Sequence, residues 1–154
     1  MPQDAKPNRD AVVSGLEKAI ANSYTLMIKT HNYHWNVEGP NFAGLHNLFE
    51  EQYRDLFDAV DELAERLRAL GSYAPGGLQA FGALTSIKDA PDQPKGWRDM
   101  VQDLVASREQ MLADDRQLLE AAEGADDQVT VDLITERIGV NEKNIWMLKS
   151  IMAQ

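Results

Sequence analysis

HWNVEGPNFAGLHNLFEEQYRDLFDAVDELAERLRALG, from His34 to Gly71, is the stretch that decides the fold. It breaks at EGPN, residues 38–41, and then enters a long run of helical period. Leu45, Leu48, Phe49, Leu56, Val60, Leu63 and Leu67 supply the apolar side of that run. Asn41 can cap its start, and Gly71 stands in the C′ position that ends it. The same stretch holds His34 and His46, two of only three histidines in the chain, and is dense in carboxylates. His46, Glu50, Asp61 and Glu65 fall at helical spacings, so they are either metal ligands or the solvated face of a helix.

Helical periodicity continues on both sides. Upstream, Val12, Val13, Leu16, Ile20, Met27 and Ile28 recur at three- and four-residue intervals, with Asn8 as a candidate N-cap and a stop near Val37. Residues 1–8 read as a short flexible tail. Downstream, the Gly- and Pro-rich segment 71–96 is long enough to carry an element of its own, and Leu78–Leu84 can make one or two turns. A third long helix is expected over about Trp97–Ala122. A fourth, over about Val129–Met152, carries Leu133, Ile134, Ile138, Ile145, Trp146, Leu148 and Ile151. Short links within each pair and a long link between the pairs predict an all-α, ferritin-like four-helix bundle. Its crossover carries the short helix, and residues 1–154 form a single domain.

Composition narrows the function. The chain has 154 residues and a formal net charge of −10. That sign argues against nucleic acid as the main partner. Cysteine is absent, which removes disulfides, thiolate metal sites and thiol catalysis. His, Asp and Glu remain as strong ligands, a set suited to iron, manganese or zinc. No apolar run is long enough for a membrane span and no signal peptide opens the chain, so the expected compartment is the cytoplasm.

An ordinary intra-bundle di-iron centre needs a Glu-x-x-His on each of two helices. This chain cannot supply it, because His31, His34 and His46 all lie in the first half. On the second helix, however, His46 with Glu50 and Asp61 with Glu65 are i,i+4 pairs on one stripe. The ends of that stripe are roughly 28 Å apart at 1.5 Å per residue, too far for one ion. Pairing the helix antiparallel with its own copy across a two-fold axis removes the difficulty. Facing residue numbers then have a constant sum, and His46–Glu65 and Glu50–Asp61 share it. Two equal sites result, one at each end of the interface. The alternative, a solvated carboxylate face, stays open on spacing alone. So does a packed, hydrogen-bonded role for His34 and a structural role for His31.

The stretch HWNVEGPNFAGLH followed by FEEQYRDLFDAVDELAER resembles the signature of the Dps family, also called miniferritins, and the resemblance covers essentially the whole chain. It implies ferroxidase ligands at His34, His46 and Glu50 of one chain, with Asp61 and Glu65 from the two-fold partner. Glu50 departs from the better-known family pattern, which has Asp there. The resemblance further implies a hollow homo-dodecamer that oxidises Fe(II), preferentially with hydrogen peroxide, and stores ferric oxide against oxidative stress. Zinc or manganese could take the same ligands. His31 and Trp35 would stand behind the ligands, Trp35 either intercepting stray oxidising equivalents or simply packing. Asp126, Asp127 and Asp132 would lie at an iron entry pore, unless GADDQ is only a turn and N-cap.

DNA binding is expected to be weak or absent. Near the start, Lys6 and Arg9 are balanced by Asp4 and Asp10, and Gln154 follows closely on the last helix. The alternatives to an iron-oxidising protein are a nucleoid-compacting protein with an incidental metal site and a purely structural helical oligomer.

Overall fold

The computed structural model describes residues 5–93 and 95–153. They form helices α1 (Ala5–Asn36), α2 (Phe42–Ala69), α3 (Leu78–Leu84), α4 (Trp97–Gly124) and α5 (Gln128–Met152), with no strand among them. The α1–α2 and α4–α5 pairs pack as hairpins, α1 also lies against α4, and α3 rests on α1. The long crossover and its short helix therefore stand where the sequence pattern puts them.

Two ends differ from expectation. α1 starts at Ala5 and not after Asn8, so residues 5–8 of the expected tail are helical, while residues 1–4 lie outside the described part. Asn8 instead donates from Nδ2 to the Gly124 carbonyl at 2.9 Å, satisfying the end of α4. Asn41 does occupy the N-cap of α2, but its side chain makes no capping bond. The α2 C-terminus is as read: Gly71, at φ 93°, bonds back to Arg68 O at 3.0 Å, and Ser72 N reaches Leu67 O at 3.2 Å. A left-handed residue there reconnects two orphan carbonyls, which glycine does without Cβ strain.

Apolar packing divides into two clusters. One gathers Leu26, Phe49, Leu56, Met100, Leu104 and Leu148; the other gathers Leu16, Ile20, Leu63, Leu67, Leu118 and Ile134. Each fully buried leucine contributes about 2 kcal/mol relative to exposure. A polar belt lies between them. Arg108, fully buried, donates to Asn141 Oδ1 at 3.0 Å and to Gln52 Oε1 at 3.3 Å, and Asn141 returns a bond to the Arg108 carbonyl at 2.8 Å. Arg137 of α5 grips Asp55 of α2 with two bonds of 3.0 and 2.8 Å. The middle of the bundle thus holds guanidinium groups where an intra-bundle di-iron centre would need carboxylates and histidines. Trp146, read with the apolar set of the last helix, is 65% exposed. Periodicity places it near the apolar stripe, but the phase of α5 turns it outward.

Candidate metal centre

The α1–α2 link is what builds the site. Val37 is buried and its N–H continues the helical pattern to the Tyr33 carbonyl at 3.0 Å. Gly39, at φ 112°, then reverses the chain, and its carbonyl accepts from Phe42 N at 3.1 Å. This tight turn lays the last turn of α1 beside the first turn of α2.

There the two histidines lock each other. His34 Nδ1 lies 2.7 Å from the His46 carbonyl, and His46 Nδ1 lies 2.7 Å from the His34 carbonyl. Their rings stack at 3.8 Å with 17° between planes. A carbonyl oxygen can only accept, so both Nδ1 atoms carry hydrogen. In the neutral rings, each Nε2 keeps its lone pair for another partner, the tautomer a metal ligand requires. Glu50 is the nearest carboxylate: its Oε1 is 4.0 Å from His34 Nε2. His34 is thus both buried and hydrogen-bonded, as a packing histidine would be, and still presents a free ring nitrogen to a carboxylate.

Asp61 and Glu65 do not join them within one chain. Both are exposed on α2, and Asp61 is about 16 Å along the axis from Glu50. Among the described residues, no group of three or more His, Asp and Glu is placed to hold a metal ion within the single chain. Phe57 stands on the same stripe between Glu50 and Asp61 and is 62% exposed. Alongside it runs a cavity of about 520 Å³ lined by Met27, His31, Tyr53, Arg54, Phe57 and Asp58.

His31 and Trp35 sit behind the donors. Their rings lie 3.9 Å apart, and His31 also packs on Tyr53 at 4.3 Å. Burial, with the charges of His34 and Arg54 adding to it, holds the His31 pKa below its ordinary value. Trp35 itself is 63% exposed. Two residues went unnoticed in the sequence: Tyr53 and Arg54, whose Oη and Nη2 lie 3.5 and 3.6 Å from Glu50 Oε1. Their i+3 and i+4 spacing from Glu50 was the available signal.

The acidic cluster before α5 divides. Asp127 is the N-cap, accepting from Thr130 N at 3.1 Å and Thr130 Oγ1 at 2.6 Å, and it pairs with Arg66 at 2.7 Å. Burial alone would raise its pKa, but the Thr130 bonds and the Arg66 charge outweigh it and hold the carboxyl below the usual range. Its carboxylate is therefore committed to the helix start, as the N-cap reading has it. Asp126 and Asp132 are exposed; Asp132 accepts one bond, from Gln128 at 2.8 Å.

The chain resembles known proteins over nearly its whole length. The family model described as a ferritin-like domain matches residues 13–154. A DNA protection during starvation protein of Bacillus anthracis is 34% identical, covering 93% of this chain and 97% of that protein. A low temperature-induced protein of Nostoc is 36% identical over 94% of this chain and 81% of its own length. Among solved structures, the Dps protein of Bacillus brevis superposes with a TM-score of 0.92 at 33% identity, covering 96% of this chain and 98% of that one. The Dps protein of Vibrio cholerae, described as one of the ferritin-like diiron-carboxylate proteins, gives 0.90 at 31% identity over 96% and 92%. By fold, length and sequence together, the chain belongs to the Dps family of ferritin-like proteins.

Proposed function

We propose that the protein is an iron-oxidising, iron-storing miniferritin whose ferroxidase sites are shared between two-fold-related copies. The observation that carries this is the reciprocal His34–His46 lock, which occupies both Nδ1 atoms and leaves both Nε2 atoms outside it, that of His34 facing the Glu50 carboxylate. Asp61 and Glu65 complete the set from the partner, in the register that also sets Phe57 against the partner's Arg54. Hard carboxylates favour the ferric product, and few nitrogens leave positions open for the oxidant. Two Fe(II) give one electron each to a peroxide, so that 2 Fe(II) + H2O2 yields 2 Fe(III) + 2 OH⁻ without releasing hydroxyl radical. Dioxygen is the slower oxidant. The ferric product is stored as oxide inside a dodecameric shell in the cytoplasm, where it limits oxidative damage. Asp126 and Asp132 would draw Fe(II) towards an entry pore. Zinc and manganese, which suit the same donors, would compete with it.

The test is to load the apoprotein with Fe(II) anaerobically and then add peroxide. A soluble ferric chromophore should form rapidly in the natural protein and at least tenfold more slowly in His46→Ala and in Asp61→Ala. Unchanged kinetics in both variants would sink the shared site.

The net charge of −10 per chain favours this reading over nucleoid compaction, since it repels phosphate. No gel shift of duplex DNA is expected at physiological ionic strength, and a persistent one would reverse that preference.

A further inference from the structure

Glu50 poses a problem that the donor geometry alone does not solve. It is a half-exposed side chain with three rotatable bonds, and a ligand left to sample rotamers binds metal poorly because its ordering is charged against affinity. Its Oε1 is nevertheless surrounded, with Tyr53 Oη at 3.5 Å, Arg54 Nη2 at 3.6 Å and His34 Nε2 at 4.0 Å. Of the two non-ligand neighbours, Arg54 is two-thirds exposed and held by little else, so it offers a loose hold. Tyr53 is different, because α1 fixes its ring. His31 packs on it at 4.3 Å, and the His34 ring meets it edge-on at 5.3 Å with 70° between planes. The phenol is thus aimed by one helix at a carboxylate of the other, and the same ring braces His34.

We propose that Tyr53 is a positioning residue of the metal centre. Its hydroxyl donates to Glu50 Oε1 and fixes the carboxylate rotamer beside His34 Nε2, while its ring packs against the His34 ring. The inference rests on the ferroxidase reading of His34, His46 and Glu50. It also gives the longer Glu side chain at this position a reason to work. Three torsions can be held when a tyrosine one turn later, anchored from outside the helix, takes one of the two oxygens.

A double-mutant cycle on the assembled protein tests this, using anaerobic Fe(II) titration and the ligand-field spectrum of bound Co(II). Tyr53→Phe keeps the ring and removes only the hydroxyl. It is expected to weaken Fe(II) binding about five- to tenfold, less than a short hydrogen bond to a charged group would because this one spans 3.5 Å, and to shift the Co(II) spectrum. In a Glu50→Asp background the shorter carboxylate falls back from the phenol, so adding Tyr53→Phe should then change affinity less than twofold. An equal loss in both backgrounds would assign Tyr53 a purely structural role and overturn the proposal, as would no loss in either. If the natural protein binds Fe(II) no better than His46→Ala, the ferroxidase reading itself has failed, and that result is separate from either outcome of the cycle. Melting temperature and particle size of each variant identify any loss that comes from folding or assembly.

Discussion

His34 and His46 show how little freedom the fold leaves the proposed ligands. Each ring is fixed through a backbone carbonyl of the other helix, so neither can change tautomer without breaking a 2.7 Å bond. Away from the site, Asp115 of α4 is a buried carboxyl whose pKa burial pushes up to about 7, with Arg137 opposing and Asp114 adding to the rise. The native chain therefore keeps this proton until about pH 7, whereas the unfolded chain releases it near 3.8. Between these values the native state binds more protons, so this group's contribution is complete at the acid end and is lost as pH rises, by at most ~1.4 kcal/mol per pH unit. Asp115→Asn should flatten that slope, melting closer to the natural protein at pH 5 and above it at pH 8. Parallel melting curves at both pH values would count against the assignment. Nothing in the sequence marks Asp115 apart from Asp114, its neighbour, because burial depends on which way α4 is rotated.

At the scale of elements, the helices pack closely where their residues are small. A Cβ on Gly15 of α1 would meet Leu118 Cδ1 of α4 at 2.7 Å and its Cβ at 3.2 Å. The two backbones therefore approach here because one has no side chain. Gly15→Ala gains helix propensity but overpacks the contact, and the second effect is the larger. We expect a loss of ~1–3 kcal/mol, read by thermal or denaturant unfolding; a gain in stability would show that Leu118 moves aside freely. The α2–α5 seam works in the opposite way. It is spanned by long side chains, Arg137 to Asp55 and Arg66 to Asp127 and Thr130. The sequence announces each helix and even the Gly71 stop, but neither of these seams. Periodicity gives the phase of a helix about its own axis only to within a residue or so, and says nothing about how far two helices slide along each other.

For the whole molecule, the decisive feature is the α2 stripe, whose candidate ligands a single chain does not bring together. His46 and Glu50 lie at one end, Asp61 and Glu65 at the other, and exposed Phe57 stands between them. Phe57→Lys sets a charge against the partner's Arg54 in the proposed register and should dissociate the two-fold pair. Ultracentrifugation is expected to show smaller particles, with helix content by circular dichroism unchanged and peroxide-driven iron oxidation lost. Intact large particles that still oxidise iron would place Phe57 outside the interface. The sequence by itself determined the four long helices, the short helix in the crossover and the common face of the candidate ligands. Each of these follows from periodicity and turn chemistry within a single segment. Only the tertiary structure decided the mutual lock of His34 and His46, the bracing of Tyr53 against α1, the capping duty of Asp127 and the outward turn of Trp146. Those depend on the offset and rotation between helices, which are set by packing across the bundle and leave no local trace in the chain.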